Sequence, residues 1–315
     1  MPGTSARSAA RAVAVLEYFT TNPQRAFTLS ELAVAVDASL SSLSAVLQAL
    51  LDAGYLIRHP RHKTYELGPA LVAVGRAAAA RHPVVDLARP ELAQLAAEYE
   101  AECVGSVVLG DEILILALEG RPSQRTRGLT VGQRIPFAPP FGEIWLAYGG
   151  PDAVQRWLRR AAHSDGPDGA ELPAETDERT VVRLHEALEK VRERGYAVNL
   201  RSEQLRAFRD AITLLVRRPS NVSLQQRLQE VTAGLGSGYE LLAENPATTY
   251  EAEMIIAPVF GPDGSVVFAI TLSGLAPRTG AEIAQIAARL VETGLSLTRA
   301  IGGRAPAVDA ARSAS

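Results

Sequence analysis

Apolar positions in the first part of the chain recur with helical spacing, then give way to two short alternating runs. Ala9, Ala12, Val13, Leu16 and Phe19 place one apolar face on a helix over 9–19. Pro23, which lacks an amide and biases Asn22 away from helical angles, ends it. Thr28-Leu29-Ser30-Glu31 has the form of a capping box, whose hydroxyl and carboxylate satisfy the free amides that open a helix over 29–36. Ser39 can cap a third helix reaching about Ala53, which Gly54 terminates. Leu40, Leu43, Leu47, Leu50 and Leu51 share its apolar face; Ser41, Ser42, Ala45, Gln48, Ala49 and Asp52 share the opposite one. Two short helices with a three-residue turn, the second strongly one-sided, form a helix-turn-helix pattern. Residues 55–58 and 64–67 read as short strands, and the basic loop His59-Pro60-Arg61-His62-Lys63 between them outlines a wing.

After Gly68-Pro69 an alanine-rich helix spans 70–80, and His82-Pro83 ends it. Beyond that point strands and helices mix. An amphipathic helix is expected over 87–101, then paired strands at 104–109 and 113–118 around Gly110-Asp111-Glu112. A helix starts at 143–148, another covers 181–194, and two more are expected at 205–216 and 224–235; 163–177 reads as a surface loop. Strands at 254–260 and 266–272 flank the turn Gly261-Pro262-Asp263-Gly264, and a long helix over 282–301 closes the chain. The expected class is α+β: residues 1–68 a winged helix-turn-helix, 69–82 a linker helix, 83–304 a second domain, and 305–315 a disordered tail.

Composition narrows the function classes. One cysteine, Cys103, excludes an intramolecular disulfide and a cysteine-based zinc site, and reads as a buried small hydrophobe. The five histidines show no spacing that would gather metal ligands, and no phosphate loop or nucleophile elbow is present, so no cofactor is expected. Residues 1–11 are polar, and no apolar run approaches the roughly 18 residues of a membrane span. The expectation is a cytoplasmic chain without membrane contact. A net charge of −3 does not advertise a nucleic-acid binder, but residues 1–68 hold six Arg or Lys against five acids and the remainder is more acidic.

Several short stretches, in order, resemble the IclR family of bacterial transcriptional regulators: Thr28 to Ala33, Leu50 to Tyr55, Tyr65 to Leu71, Gly132-Gln133-Arg134-Ile135-Pro136-Phe137, Arg192 to Tyr196, and Ile256 to Phe260 with Gly264. The resemblance implies a DNA-binding regulator with a GAF-like antiparallel sheet for an effector, flanking helices, and homodimers that often pair into homotetramers. It departs in two places. The family's recognition-helix arginine position is Ala45 here, after Ser41-Ser42, and about fifty residues, 201–250, stand where the family has a short connection.

Ser41, Ser42 and Gln48 are the candidates to meet bases or phosphates of double-stranded operator DNA, with Arg58, Arg61, His62 and Lys63 for the backbone or minor groove. Thr271 and Ser273 alternate along one strand and so put hydroxyls on one face. The resemblance makes that face the effector's, adds Met254 from the preceding strand, and puts Phe137, Pro139, Phe141 and Trp145 on the covering loop and helix. Such a cavity suits an aromatic or apolar acid. Two other readings stay open: a sensor or scaffold whose winged helix no longer binds DNA specifically, and an enzyme using the GAF-like pocket.

Overall fold

The computed structural model describes residues 4–122, 129–137, 141–162, 178–202, 207 and 240–306. The helices expected at 205–216 and 224–235 (Ala207 apart), the loop at 163–177, Pro139 and residues 307–315 lie outside them.

Three helices, α1 (Thr4–Thr20), α2 (Leu29–Ala35) and α3 (Leu40–Asp52), are closed by the antiparallel hairpin of β1 (Leu56–Arg58) and β2 (Tyr65–Leu67). The expected capping box forms: Thr28 Oγ1 accepts from the Glu31 amide, and the Glu31 carboxylate accepts from the Thr28 amide at 2.8 Å. Phe27 and Tyr65 exchange backbone hydrogen bonds of 3.0 and 2.7 Å, which sews the segment before α2 onto β2. Val15, Phe19, Phe27, Leu32, Leu43 and Leu47 fill the core between them. Two details differ from the sequence reading. Helix α1 begins at Thr4 rather than residue 9. On α3 the buried stripe is Leu43, Val46, Leu47 and Leu50, at i, i+3, i+4 and i+7, while Leu40 projects from the first turn into solvent.

Helix α4 (Ala70–Arg81) follows and buries none of its residues. Only His82 and Pro83 stand between it and α5 (Val84–Glu98), which starts earlier than expected because Pro83 suits a helix start.

Next come β3 (Glu102–Leu109), β4 (Glu112–Gly120) and β5 (Arg134–Pro136), then α6 (Glu143–Leu146), α7 (Pro151–Ala162) and α8 (Glu178–Arg194). The chain continues through β6 (Ala197–Leu200), β7 (Thr249–Tyr250), β8 (Ala252–Phe260), β9 (Val266–Ser273), β10 (Arg278–Thr279) and α9 (Gly280–Ala300). Six strands form one sheet, ordered β5-β4-β3-β9-β8-β6, with every neighbouring pair antiparallel. Neither α7 nor β6 is predicted from sequence.

Strand alternation gives the sheet two unlike faces. Cys103, Ile255, Ala257, Ile270 and Leu272 pack against Leu92 and Leu95 of α5 and Ile286 and Leu290 of α9. Ala197, Ile256 and Ala269 point the other way, toward Ile144 and Leu146 of α6, Trp157 of α7 and Leu188 of α8. Burial pushes the Cys103 thiol up to about 12, which leaves it a small core residue. Among the described residues no single helix is long and apolar enough to cross a membrane. The bent pair α2–α3 passes on length and composition, but its apolar residues form the core described above.

Candidate functional site

Two regions bring the sequence-predicted residues together. In the first, Ser39 caps α3 by accepting from the Ser42 amide, which places Ser41, Ala45 and Gln48 on an exposed face. The Ser42 hydroxyl is half-buried and accepts a hydrogen bond from Arg11 of α1, so it also ties two helices together. Gln48 Nε2 donates to Asp52 Oδ1 at 2.7 Å, one turn along the same face. A base edge or phosphate reaching Gln48 would compete with that partner.

The wing holds Arg58, Arg61, His62 and Lys63, all exposed. The Arg58 guanidinium lies over the Tyr65 ring, 5.4 Å from its centroid, which fixes its stem while leaving its charge outward. The residue that shapes the loop is His59. Its Nδ1 accepts from the amides of both Arg61 and His62 at 3.2 Å, and its ring stacks at a tilt against His62, 4.4 Å between centroids. Lys63 takes a left-handed φ of 57° and closes the turn back to the His59 carbonyl at 3.0 Å. Two cationic side chains, Arg61 and Lys63, are thus presented on a pinned turn of the hairpin whose first strand packs on α3. Sequence reading singled out His59 only as one member of a basic loop.

The second region is the sheet face under α6, α7 and α8. Residues directly opposite on antiparallel strands point the same way. Asn199 of β6 is opposite Met254 of β8, Met254 is opposite Ser273 of β9, and Ser273 is opposite Glu102 of β3. The next row runs Ala197, Ile256, Thr271 and Val104. Thr271, Ser273 and Met254 therefore share one face, with Asn199 and Glu102 added by the register. Strand β6 is four residues long and follows a glycine, too little pattern for sequence reading to register.

Phe137 and Trp145 meet edge to face above it, with centroids 6.2 Å apart. Gly142 lets them close: its φ is 116°, and a Cβ there would run into the Phe137 ring. The carbonyl of half-buried Phe141 accepts from Trp157 Nε1 at 2.9 Å, and Trp157 itself is fully buried. This pins Phe141 to α7 through a tryptophan that sequence reading passed over. The signal was present, since Gly149-Gly150-Pro151-Asp152 has the form of a helix start.

Among the described residues, Ser273 Oγ, Trp145 Nε1 and Asn199 Oδ1 are buried polar atoms in this region that make no hydrogen bond. Such atoms carry a desolvation penalty of about 1–3 kcal/mol each until something pairs with them. Glu102, Glu143 and Glu240 are also buried here. Glu240 accepts from Asn199 Nδ2 at 2.9 Å, from the Val198 amide at 3.0 Å, and from Arg194. Arg194 also donates to the carbonyls of Tyr196 and Leu241 at 2.7 Å each and pairs with Glu244 at 3.0 Å, so it anchors the chain where it returns at 240. Burial pushes the Glu240 carboxyl up to about 8, with the nearby charge of Glu143 adding to the effect and Arg194 opposing it. Among the described residues no three His, Cys, Asp or Glu side chains gather as metal ligands.

Residues 8–60 match the IclR helix-turn-helix domain. The chain is 30% identical over 183 residues to the DNA-binding transcriptional repressor YiaJ of Escherichia coli (strain K12), a stretch covering 56% of this chain and 61% of that protein. A solved IclR transcriptional regulator from Alicyclobacillus acidocaldarius aligns over 94% of this chain and 99% of its own, at 23% identity and a TM-score of 0.62. An IclR homologue from Microbacterium hydrocarbonoxydans, solved in complex with 4-hydroxybenzoate, aligns over 93% and 99% at 18% identity and a TM-score of 0.58. At these identities the solved structures establish a shared fold.

Proposed function

We propose that this chain, an IclR-type helix-turn-helix protein, is a cytoplasmic transcriptional regulator and not an enzyme. It binds double-stranded operator DNA through paired winged heads, and a small-molecule effector on the sheet face of Asn199, Met254 and Ser273 modulates that binding. The observation that carries the reading is a helix-turn-helix whose α3 keeps one face exposed, followed by a hairpin whose cations project from an amide-pinned turn. A gel shift on a duplex from its own upstream region, titrated with salt, tests it, because phosphate contacts release counterions and weaken as salt rises. Arg61→Ala with Lys63→Ala should weaken all duplexes about equally, and Gln48→Ala should change the preference among them. Salt-independent affinity, unmoved by these variants, would remove the interface.

The effector is an aromatic or apolar acid carrying a hydroxyl. The Phe137–Trp145 pair offers an aromatic wall, and Ser273 Oγ and Trp145 Nε1 can donate to an acceptor such as a carboxylate. Asn199 Oδ1 suits a hydroxyl donor. The fold shared with the 4-hydroxybenzoate-bound homologue supports this class. Calorimetry with 4-hydroxybenzoate, phenols and small keto acids decides it, with Ser273→Ala weakening binding by about 0.5–1.5 kcal/mol. Binding of the small keto acids alone would overturn the assignment.

The assembly is a homodimer, which can pair further into a tetramer. Helix α4 exposes Val72 and Val74 and buries nothing, and pairing would cover that surface. A monomer mass by light scattering at micromolar concentration would contradict this.

A further inference from the structure

An arginine of the sensor sheet reaches across to the reading head. Arg134, the first residue of β5, places Nη2 2.8 Å from Glu17 Oε1 of α1 and Nη1 2.8 Å from Glu112 Oε2 of β4. One guanidinium is shared between a carboxylate of the head and a carboxylate of the sheet. A second contact sits beside it. Gly132, with φ 86°, passes so close to the end of α1 that a Cβ would lie 2.5 Å from Thr20 Oγ1. The segment that makes both contacts, the turn at Gly132 and the start of β5, is itself fixed to the sheet. The Gly132 amide donates to the Ile115 carbonyl at 2.8 Å, the Ile115 amide to the Gln133 carbonyl at 3.0 Å, and the buried Gln133 side chain accepts from the Thr130 amide at 3.1 Å.

The other end of β5 leads to the sensor. Pro136 is followed by Phe137, whose amide donates to the Asp111 carbonyl at 2.9 Å and whose ring meets Trp145. A strand of three residues thus carries the head contact at its start and the aromatic wall immediately after its end.

We propose that Arg134 is a positioning residue through which the state of the aromatic wall sets the placement of the head relative to the sheet. Its side chain is 32% exposed, Glu17 43% and Glu112 45%. Releasing Glu17 therefore strands no buried charge, and Glu112 keeps the guanidinium paired in the open state. A joint of this kind can be made and broken reversibly, and exposed pairs of this sort bias an equilibrium by a factor of about two to five. That is the scale on which a ligand with modest differential affinity can shift a population. The proposal rests on the regulator reading, but its test uses neither DNA nor effector.

Cys103 is the only cysteine and is buried, so spin labels can be placed at Val34→Cys on α2 and Val182→Cys on α8, both exposed. Labelled chain mixed with excess unlabelled chain makes the intrachain distance dominate. The parent should give one main distance population. Glu17→Gln and Arg134→Gln should each raise a second population about two- to five-fold, their combination should do no more than either alone, and Glu112→Gln should resemble the parent. Phe137→Leu, which alters the sensor end, should move the populations in the parent and add nothing in the Arg134→Gln chain. An unchanged distribution in Arg134→Gln, or a Phe137→Leu effect that is absent or equal in both chains, would overturn the proposal. Failure of the gel shift would remove the regulator reading and leave these distances standing.

Discussion

The carboxyl of Glu240 should make the sheet-bearing part of the chain less stable as pH rises, and Glu240→Gln should remove that trend. Burial, reinforced by the charge of Glu143 and opposed by Arg194, lifts it from 4.5 to about 8. In the unfolded chain it titrates near its ordinary value. Between the two values the folded chain therefore holds more protons than the unfolded chain, so its stability falls as pH climbs through that window and levels off above it. At 1.36 kcal/mol per unit, the shift caps the loss at about 5 kcal/mol. The donors from Arg194 and Val198 favour the ionised form, and the value of about 8 is what remains after they have opposed burial. Glutamine keeps an oxygen for Arg194 and Val198, and a turned Asn199 amide can accept from its Nε2 through the oxygen that now has no partner. The assay is urea unfolding at a series of pH values, followed by tryptophan fluorescence. Both tryptophans, Trp145 and Trp157, sit in the sensor cluster, so the signal reports that part of the chain. The midpoint of the parent should fall relative to Glu240→Gln between about pH 5 and 8. Parallel profiles would mean that Arg194 holds Glu240 ionised throughout, and the reasoning would fail.

His59→Ala should loosen the wing by freeing two amides, each bond contributing about 0.5–1.5 kcal/mol. Faster hydrogen exchange at Arg61 and His62 checks this, with His59→Asn retaining protection through its own acceptor. Gly142→Ala should destabilise the sensor cluster by about 1–3 kcal/mol, since it combines a left-handed φ with a collision against Phe137; the tryptophan-reported midpoint measures it. Leu47→Ala, at a fully buried position, should cost about 2–5 kcal/mol in the head, read by circular dichroism, while the tryptophan-reported transition of the sensor stays in place.

The head was legible because its local signals agree with its packing. Thr28 and Glu31 cap α2, Ser39 caps α3, and Gly54 ends that helix at φ 70°. Periodicity misassigned Leu40, because an apolar residue on the right stripe need not have anything packed over it. The paired strands β3–β4 and β8–β9 were legible from turns with positive-φ glycines at 110 and 264. What stayed hidden depends on contacts distant in sequence. Asn199 joins Met254 and Ser273 only through the β6–β8–β9 register, and Arg194 finds Glu240 across 46 positions. Arg134 is similar: its motif was visible, but Glu17, its partner on α1, carried no mark of that role.

Helix α4 is twelve residues long, about 18 Å at 1.5 Å per residue, and none of those residues is buried. Twelve residues is the lower margin at which a helix persists in water without tertiary support, and its alanines supply propensity but no contact. Its helical fraction is therefore set by whatever lies along it. If a second copy supplies that support, the connector is ordered in proportion to how much of the chain the cell contains. Copy number then becomes an input to how the connector is ordered. At low dosage the connector would fray, and at high dosage it would stand as a rigid strut, with the same amino acids throughout.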